Sequence, residues 1–289
     1  MTSQSANSIT VSGSEYLERQ RSHTDAYFAG GPRPHSVSDD AFTQYIFEWR
    51  IRSAIDRLQK RDASLGPDSS FLILCAAEGH EGSVLCDLGF RNVTVSDISP
   101  VALRVALNRD PRLRGQVLLA EELDLPAAAF DVVFVQDGLH HLRNPVQGFT
   151  EMLRVCARAA IFLEPHDCWL GRTIGTQWER NGDAVNYVFR WSRKLVDDIA
   201  CSYLGQDRFR NLSFSFWHHT SRYAQLGKYL GGKRLALGTL RSLKFLLDHT
   251  LSQFGNQFCG IILRKPLPDM RNPSSDNFRL EHNEDSPST

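Results

Sequence analysis

The sequence predicts an α/β protein with a mostly parallel sheet that has helices on both of its faces. Short apolar runs of strand length, beginning at residues 71–75, alternate along the chain with segments of helical length. One run, residues 130–136, is apolar almost throughout, which is typical of a central parallel strand buried on both faces. Helices join such strands in right-handed crossovers, so the loops that follow the strands open at one edge of the sheet.

The first crossover, residues 71–97, organises the rest of the chain. An apolar strand at residues 71–75 leads into a small, polar loop that contains Gly79 and Gly82, and a helix and a second strand follow. Asp97 stands at the end of that second strand. Because the loop and the acid face the same crevice in such a unit, the sequence predicts a half-site for a nucleoside, whose ribose hydroxyls a carboxylate can bind.

The other elements follow from apolar periodicity and from residues that begin or end helices. Ser99 and Asn144 each precede a proline, an arrangement that caps a helix and starts its first turn. Helices are predicted at residues 16–28, 40–60, 83–88, 100–109, 146–156, 192–204 and, with several glycines, 221–251. Strands are predicted at residues 71–75, 93–95, 116–120, 130–136, 159–163, 211–217 and 254–265. The last two strands would form an antiparallel hairpin that completes a seven-stranded sheet.

Two stretches resemble a known family. Residues 93–103, VTVSDISPVAL, resemble the strand–acid–x–Ser–Pro signature of the class I S-adenosylmethionine (SAM) dependent methyltransferases. The series FDVV, LHHL, EMLRV and EP, which ends at Pro165, is similar to the small-molecule branch of that family. The resemblance extends over residues 71–165. It implies SAM as cofactor, S-adenosylhomocysteine (SAH) as product and a small-molecule acceptor as partner.

The fold that the resemblance implies is Rossmann-like, with a seven-stranded, mostly parallel sheet, N-terminal helices and a C-terminal helical insertion that form a cap. The predicted organisation is a disordered N-terminus (1–12), a helical cap (13–64), a methyltransferase domain (65–265) with acceptor-binding insertions (166–190 and 220–252), and a disordered tail (266–289).

The glycine loop departs from the family pattern. The family's first acid falls on Ile73, and two of its three glycines fall on Cys75 and Ala77, whereas Gly79 is kept. Cysteine and alanine are small, so close approach of a cofactor to the backbone is still plausible. The residues that the resemblance assigns to the cofactor are Cys75, Ala76, Ala77, Glu78, Gly79, Asp97, Ile98, Glu121, Gln136 and Asp137. Among these, Asp97 would bind the ribose and Glu121 the adenine amino group.

Candidates for the acceptor side follow the fourth and fifth strands. Methyl transfer from a sulfonium is an in-line displacement, and an alcohol acceptor needs a general base within hydrogen-bond reach. Histidine titrates near neutral pH and suits that role. The predicted catalytic residues are His141 and His166, the latter oriented by Asp167. The alternatives are that His141 only caps the next helix and packs, and that His166 and Asp167 belong to a polar loop. The predicted substrate-binding residues are His140, Trp178, Asn186 and Arg190, and Tyr16, Tyr27 and Arg50 are weaker candidates that could close the pocket.

The charge, the apolar runs and the cysteines of the chain limit the classes of protein to which it can belong. The chain has 33 basic and 33 acidic residues, so its formal net charge is zero, which argues against general nucleic-acid binding. No apolar run approaches the roughly 20 residues of a membrane span, and no apolar stretch follows the N-terminus as in a secretory signal. The six cysteines are scattered, which favours a reduced, cytoplasmic protein. The histidines show no known ligand spacing, so no metal site is expected, while a homodimer remains possible.

Three functions are compatible with these patterns. The first is a SAM-dependent methyltransferase that acts on a small molecule, with oxygen favoured as the target atom. The second is a non-catalytic binding or scaffold protein, if the altered glycine loop closes the cofactor pocket. The third is a nicotinamide dehydrogenase, suggested by the spacing of Tyr229 and Lys233, but the loop after the first strand lacks the dinucleotide glycine pattern.

Overall fold

The computed structural model describes residues 13–30, 41–181, 184–218 and 233–265. Its helices are α1 (Gly13–Phe28), α2 (Ala41–Gln59), α3 (His80–Asp87), α4 (Pro100–Arg109), α5 (Pro145–Val155), α6 (Trp169–Ile174), α7 (Arg193–Leu204) and α8 (Lys233–Thr250). Its strands are β1 (Ser70–Leu74), β2 (Asn92–Asp97), β3 (Arg114–Val117), β4 (Phe130–Gln136), β5 (Cys156–Pro165), β6 (Trp178–Asn181), β7 (Ala184–Tyr187), β8 (Phe209–Asn211), β9 (Phe214–Phe216) and β10 (Gln257–Arg264). Within the described ranges, every helix falls short of the length and apolar character that crossing a membrane requires.

The central sheet has the order β3–β2–β1–β4–β5–β10–β8, and β9 also pairs with β10. Strands β1 to β5 are parallel, and β10 is antiparallel to β5, with Ile261 opposite Ile161. The order reverses between the neighbouring strands β1 and β4, which is where open α/β sheets form their ligand crevice. The predicted fold class is therefore confirmed.

Two apolar layers cover the sheet, one on each face. Along β1, Phe71 and Ile73 pack with α2, α3 and α4, whereas Leu72 and Leu74 pack with α5 and α7. Successive side chains of a strand point to opposite faces, so a strand buried on both faces needs an unbroken apolar run. This requirement explains why the sequence pattern located the central strands well.

Side-chain caps fix where several helices begin. Ser99 Oγ accepts a hydrogen bond from Ala102 N (3.0 Å) at the start of α4. Asn144 Oδ1 accepts one from Gln147 N (3.1 Å) at the start of α5. In both helices a proline occupies the first turn, where its missing N–H costs nothing. The predicted starts of these two helices are confirmed within one residue.

The far edge of the sheet differs from the prediction in one detail. The predicted hairpin exists, because β9 pairs antiparallel with β10, with Ser215 opposite Phe258. The outer strand is interrupted, however, and continues as β8, which pairs with the end of β10. At the break, Ser213 Oγ accepts the hydrogen bond of Ile261 N (3.0 Å), so a side chain substitutes for a ladder carbonyl. Among the residues that the structure describes, the sheet therefore has eight strands at seven positions.

The third strand was predicted too late in the chain. The prediction placed it at residues 116–120, but β3 spans Arg114–Val117 and is exposed at the sheet edge. The apolar residues that suggested the later position, Leu118 and Ala120, are buried beneath the following loop. Burial under a loop gives the same apolar signal as burial in a strand, so periodicity could not separate the two.

Helix α2 is part of the core, whereas the sequence assigned residues 13–64 to a cap. Its residues Ile51, Ile55 and Leu58 are almost fully buried against the first apolar layer. Helix α1 instead lies across α4. Helix α8, in the predicted insertion 220–252, packs on α2 through Phe42, Ile46 and Leu240, while residues 220–232 of that insertion lie outside the described residues. The predicted disordered ends, 1–12 and 266–289, and Tyr229 also lie outside them.

A buried lysine ties α8 to the rest of the fold. Lys244 Nζ lies 2.5 Å from Asp248 Oδ2, 3.2 Å from the Trp217 carbonyl oxygen and 3.5 Å from the centre of the Trp49 ring. A buried charge is tolerated only when it is paired, and here a carboxylate, a carbonyl and an aromatic face share that role. This contact positions the C-terminal insertion against α2.

Candidate cofactor and acceptor site

The loop after β1 adopts a backbone conformation that normally requires glycine. Cys75, Ala77 and Gly79 have φ angles of 51°, 45° and 72°, in the left-handed region. These are the three positions where the resembled family has glycines. A left-handed non-glycine residue costs on the order of 1–3 kcal/mol and persists only where its surroundings impose it. The loop therefore keeps its shape although two of the glycines are replaced.

Asp97 holds this loop in place from the end of β2. Its Oδ2 accepts a hydrogen bond from Ala77 N (3.0 Å), and its Oδ1 accepts one from Ser99 N (2.9 Å). Burial raises the pKa of Asp97. Hydrogen bonds from the backbone N–H groups of Ser99, Ala77 and Ile98 oppose this effect and lower the pKa, but burial outweighs them. A carboxylate oxygen can accept more than one hydrogen bond, so Asp97 keeps the capacity to bind a ligand hydroxyl.

Side chains from several strand ends converge on Cys75. Burial raises the pKa of its thiol, and the carboxylates of Asp97, Glu164 and Glu121 raise it further. Gly138, after β4, leaves room for this cysteine, because a Cβ on that glycine would lie 2.6 Å from the Cys75 Cβ. Acids from β2, from the loop after β3 and from β5 thus act on this cysteine at the carboxyl edge of the sheet.

A second polar cluster lies at the end of β4. Arg50 of α2 is buried, and its Nη1 lies 2.9 Å from Asp137 Oδ2. Asp137 has a φ of 49°, another left-handed non-glycine residue. Gln136 Nε2 donates to Glu81 Oε1 (2.8 Å). Two buried polar atoms of this cluster, Arg50 Nε and Gln136 Oε1, have no protein partner, and unpartnered buried groups are rare in folded proteins.

Glu81 makes this cluster sensitive to pH. Burial raises its pKa from 4.5 to about 7, with Asp137 acting in the same direction and Arg50 and Arg109 opposing it. The native state therefore binds the proton more tightly than the unfolded chain, and the free energy of unfolding falls as pH rises through the interval from 4.5 to about 7.

We expect Glu81→Gln to remove this pH dependence. A shift of this size corresponds to about 3 kcal/mol at most, so the variant should gain stability relative to the parent as pH rises through the interval, and the gain should level off above it. Urea unfolding of both proteins below and above the interval measures the effect. Glu122→Gln, which changes an exposed carboxylate, should gain no stability relative to the parent over this interval. If the stabilities of Glu81→Gln and the parent change in parallel with pH, the pH dependence does not come from Glu81.

Helix α1 lies over the crevice. Ser99 Oγ donates a hydrogen bond to Asp25 of α1, next to the capping contact that starts α4. Gln20 Nε2, also on α1, donates to the carbonyl oxygen of His141 (2.6 Å). These two contacts attach α1 both to the Asp97 side and to the histidine side of the crevice. Tyr27 of α1 is exposed, and the side chain of Tyr16 lies outside the described residues.

Two predicted cofactor residues make mainly structural contacts. Glu78 is buried, with its Oε2 at 3.2 Å from Arg109 Nη2 and 3.3 Å from His80 Nε2, so it fastens the loop to α4. Glu121 Oε1 accepts a hydrogen bond from Asn144 N (2.5 Å) at the start of α5. Burial and the neighbouring Arg109 lower the pKa of His80 to about 4.

Glu164, at the end of β5, organises the turn that carries the histidine pair. Its Oε1 accepts hydrogen bonds from Gly138 N (2.8 Å) and Leu139 N (2.7 Å), and its Oε2 lies 2.6 Å from His140 Nδ1. Burial would lower the pKa of His140, but Glu164 and then Glu179 outweigh it and raise this pKa to about 10.

His141 lies beside His140, and Glu179 approaches both from the cap. The two imidazole rings have centroids 4.1 Å apart. Glu179 belongs to the hairpin β6–β7, and its Oε2 lies 3.5 Å from His140 Nε2. Burial and the charge of His140 lower the pKa of His141 to about 4. Sequence reasoning named both histidines as acceptor-side residues but had no signal for Glu179.

His166 lies in a different environment from the histidine pair. Its Nδ1 bonds to the carbonyl oxygen of Gly255 (2.7 Å), and its ring stacks on Phe258. Asp167 pairs with Arg172, at 2.5 Å between Oδ2 and Nη2, so it does not orient His166 as predicted. His166 lines a cavity of about 380 Å³ with Cys168, Trp169 and other residues, none of which belongs to the predicted cofactor site.

The remaining predicted acceptor residues lie in the cap. Trp178 of β6 is exposed and packs against Tyr187 of β7. Asn186 is the register partner of Glu179 across this hairpin, and its side chain lies outside the described residues. Arg190 Nη2 donates to the carbonyl oxygen of Thr176 (2.7 Å), which holds the base of the hairpin.

Sequence reasoning missed three residues that the structure brings to the crevice. Asp25, Glu81 and Glu179 belong to separate elements, and each lies in a segment whose charged residues look like an ordinary solvated surface. Arg50 was named only as a weak candidate. One available signal was its place between Trp49 and Ile51, on the apolar side of α2, where a charge requires a partner.

The comparisons with known proteins agree with the fold. A methyltransferase domain model matches residues 74–163. None of the curated proteins matches this sequence. A SAM-dependent methyltransferase from Mesorhizobium loti is 13% identical, with 75% of this chain and 97% of that chain covered and a TM-score of 0.51. Magnesium protoporphyrin IX methyltransferase from Synechocystis PCC 6803, solved with bound SAH, is 13% identical, with 87% and 97% covered and a TM-score of 0.50.

The fold is also shared by a structure named for other chemistry. The cyclase SpnF is 16% identical, with 88% of this chain and 94% of that chain covered and a TM-score of 0.50. At these identities the structural likeness establishes the fold alone, and the domain match adds a likeness to methyltransferases over residues 74–163. Residues 74–163, which include the central strands of the sheet, are therefore similar to a methyltransferase domain.

Proposed function

We propose that this protein binds SAM in the crevice next to β1 and transfers its methyl group to a small-molecule acceptor, with oxygen as the favoured target atom. One observation carries the proposal. Of the four non-glycine residues with positive φ in the described part of the chain, three lie at the ends of the adjacent strands β1 and β4, namely Cys75, Ala77 and Asp137. Backbone strain that is concentrated at the switch point of an α/β sheet is typical of a ligand site.

The polar groups of the crevice match the parts of SAM. We assign the ribose hydroxyls to Asp97, and its hydrogen bond to the loop against which the nucleoside would lie supports this assignment. The amino-acid end of SAM carries a carboxylate and an ammonium group. Arg50 Nε is a buried donor and Gln136 Oε1 a buried acceptor, both without a protein partner, and Asp137 adds a negative charge. These groups could satisfy both ends of the zwitterion.

The acceptor would lie on the side of the histidine pair. His140 and His141 follow β4 directly after Asp137, and the β6–β7 hairpin closes over them with Glu179. An oxygen nucleophile must approach the methyl carbon from the side opposite sulfur, and holding it there supplies much of the rate enhancement. We propose His141 as the residue that contacts the acceptor hydroxyl, within reach to accept its proton.

A non-catalytic binding or scaffold function is the alternative, because Cys75 and Ala77 replace two glycines of the family's cofactor loop. The two functions differ in what the crevice binds. Calorimetric titration of the purified chain with SAM and with SAH is the test that separates them. We expect micromolar affinity for both ligands, which corresponds to about −8 kcal/mol. No heat of binding at millimolar concentration, with the protein folded by circular dichroism, would refute the proposed cofactor site.

A further inference from the structure

Three potential metal ligands meet at the acceptor side of the crevice. His140, His141 and Glu179 each offer one ligand atom, and these atoms lie within 4.8 Å of one another. The two histidines come from the turn Leu139–His141 after β4, and the glutamate comes from the hairpin β6–β7. Two imidazoles with one carboxylate is a donor set used by catalytic zinc sites, which keep a further position open for water or substrate.

The arrangement behind His140 supports metal binding. His140 Nδ1 lies 2.6 Å from Glu164, a carboxylate with no exposed surface that also accepts two backbone hydrogen bonds. A histidine that ligates a metal almost always donates its other ring N–H to such a group, which fixes the tautomer and the orientation of the ring. The contact therefore directs Nε2 of His140 away from Glu164, towards Glu179.

The spacing of the ligand atoms supports it further. His140 Nε2 and Glu179 Oε2 are 3.5 Å apart. This is long for a hydrogen bond between a ring nitrogen and a carboxylate, for which about 2.7–2.9 Å is usual. Two ligands of a tetrahedral zinc ion, each bonded at about 2.0–2.1 Å, are roughly 3.4 Å apart. The two atoms therefore have the spacing of two ligands of one ion. A proton on Nε2 of His140 competes with the ion for that nitrogen.

We propose that His140, His141 and Glu179 bind one divalent first-row transition-metal ion, with Zn²⁺ as the first candidate. The sequence predicted no metal, because Glu179 lies 38 residues beyond His141 and no ligand motif has that spacing. The hairpin β6–β7 supplies the third ligand, and a site with three protein ligands would leave one position of the ion open to water or to an acceptor.

The role of the metal rests on the proposed function. With the ion bound, His141 is a ligand instead of a base, and an acceptor hydroxyl at the open position would lose its proton to solvent because the cation lowers its pKa. The oxygen lone pair then forms the bond to the methyl carbon while the bond between that carbon and sulfur breaks. Sulfur keeps the electron pair, so the products are the methyl ether and SAH. The site would thus select acceptors with a hydroxyl group that can ligate the ion.

Metal content and metal affinity test the site. The full chain is stripped with a chelator, reloaded with Zn²⁺, desalted and analysed by mass spectrometry, and its Zn²⁺ affinity is measured against a competing chelator. We expect one zinc per chain. Glu179→Gln removes the anionic ligand, and its Zn²⁺ affinity should fall at least tenfold, since loss of an outer-shell partner alone costs about 10–100-fold. Co²⁺ should give the visible absorption of a tetrahedral site in the parent and lose it in the variant.

A matched control identifies binding elsewhere in the chain. Glu48→Gln changes a glutamate of similar side-chain exposure (34%, against 39% for Glu179) on α2, and it should bind Zn²⁺ like the parent. If the parent binds no zinc, or if Glu179→Gln binds it as tightly as the parent, the inference is wrong. Titration with SAH in the same preparations separates this inference from the proposed function. SAH binding without zinc would refute the metal site alone, and zinc without SAH binding would refute the cofactor site alone.

Discussion

Replacing Asp97 with alanine is expected to weaken SAH binding at least tenfold, about 1.4 kcal/mol. The carboxylate is the charged acceptor for the ribose hydroxyls, and hydrogen bonds to charged groups contribute about 1.5–3 kcal/mol. The structure adds a second reason. Asp97 Oδ2 accepts the hydrogen bond of Ala77 N, which holds the left-handed residue in the middle of the cofactor loop. Without that acceptor, the loop should relax away from the shape that admits the ligand.

Calorimetric titration with SAH measures this effect, and circular dichroism shows whether the variant is folded. Asp68→Ala is the control, because the carboxylate of Asp68 is exposed and pairs with Arg91 at the other end of the first crossover. Asp97→Asn keeps an acceptor for Ala77 N but lacks the charge, so it should fall between the parent and the alanine variant. If folded Asp97→Ala binds SAH as tightly as the parent does, Asp97 is not part of the cofactor site.

Replacing Glu164 with alanine should have the largest effect on stability, a loss of about 3–5 kcal/mol in the free energy of unfolding. Glu164 has no exposed surface and accepts from Gly138 N, Leu139 N and His140. The alanine variant would leave two backbone N–H groups without an acceptor and would leave the buried His140 without its counter-ion. Each buried donor left unpaired costs about 1–3 kcal/mol, and an uncompensated buried charge costs more.

Urea unfolding at neutral pH, where His140 is protonated, provides the measurement. Glu164→Gln keeps an acceptor of the same shape for the two backbone groups and should therefore lose less than the alanine variant. Glu48→Ala, at the surface of α2, should change stability by no more than about 0.5 kcal/mol. If Glu164→Ala unfolds at the same urea concentration as Glu48→Ala, the hydrogen bonds at this carboxylate do not hold the turn after β4.

The altered glycine loop shows how sequence and structure can point in different directions. From the sequence, Cys75 and Ala77 weaken the expectation of a cofactor loop, because the family has glycine there. The structure keeps left-handed φ angles at both positions. Ala77 N donates a hydrogen bond to the Asp97 carboxylate, and Gly138 provides the space that the Cys75 side chain needs. The conformation is therefore imposed by partners that lie 20 or more residues away, which a local motif does not contain.

The sequence by itself determined the local and periodic features of this protein. Unbroken apolar runs located β1, β4 and β5, because strands buried on both faces need apolar side chains at every position. Ser99 and Asn144 located the starts of two helices, because their capping bonds reach only three residues along the chain. The position of Asp97 at the end of β2 followed from the same local pattern.

The tertiary structure alone decided which distant charges meet. Arg50 reaches Asp137 across 87 residues, Gln136 reaches Glu81 across 55, and Glu179 approaches His140 only because the hairpin β6–β7 folds over the turn after β4. A charged residue on a helix or hairpin has the same sequence pattern whether it faces solvent or a buried partner. The difference is the free energy of desolvation, which depends on what packs against the residue and therefore on the whole fold.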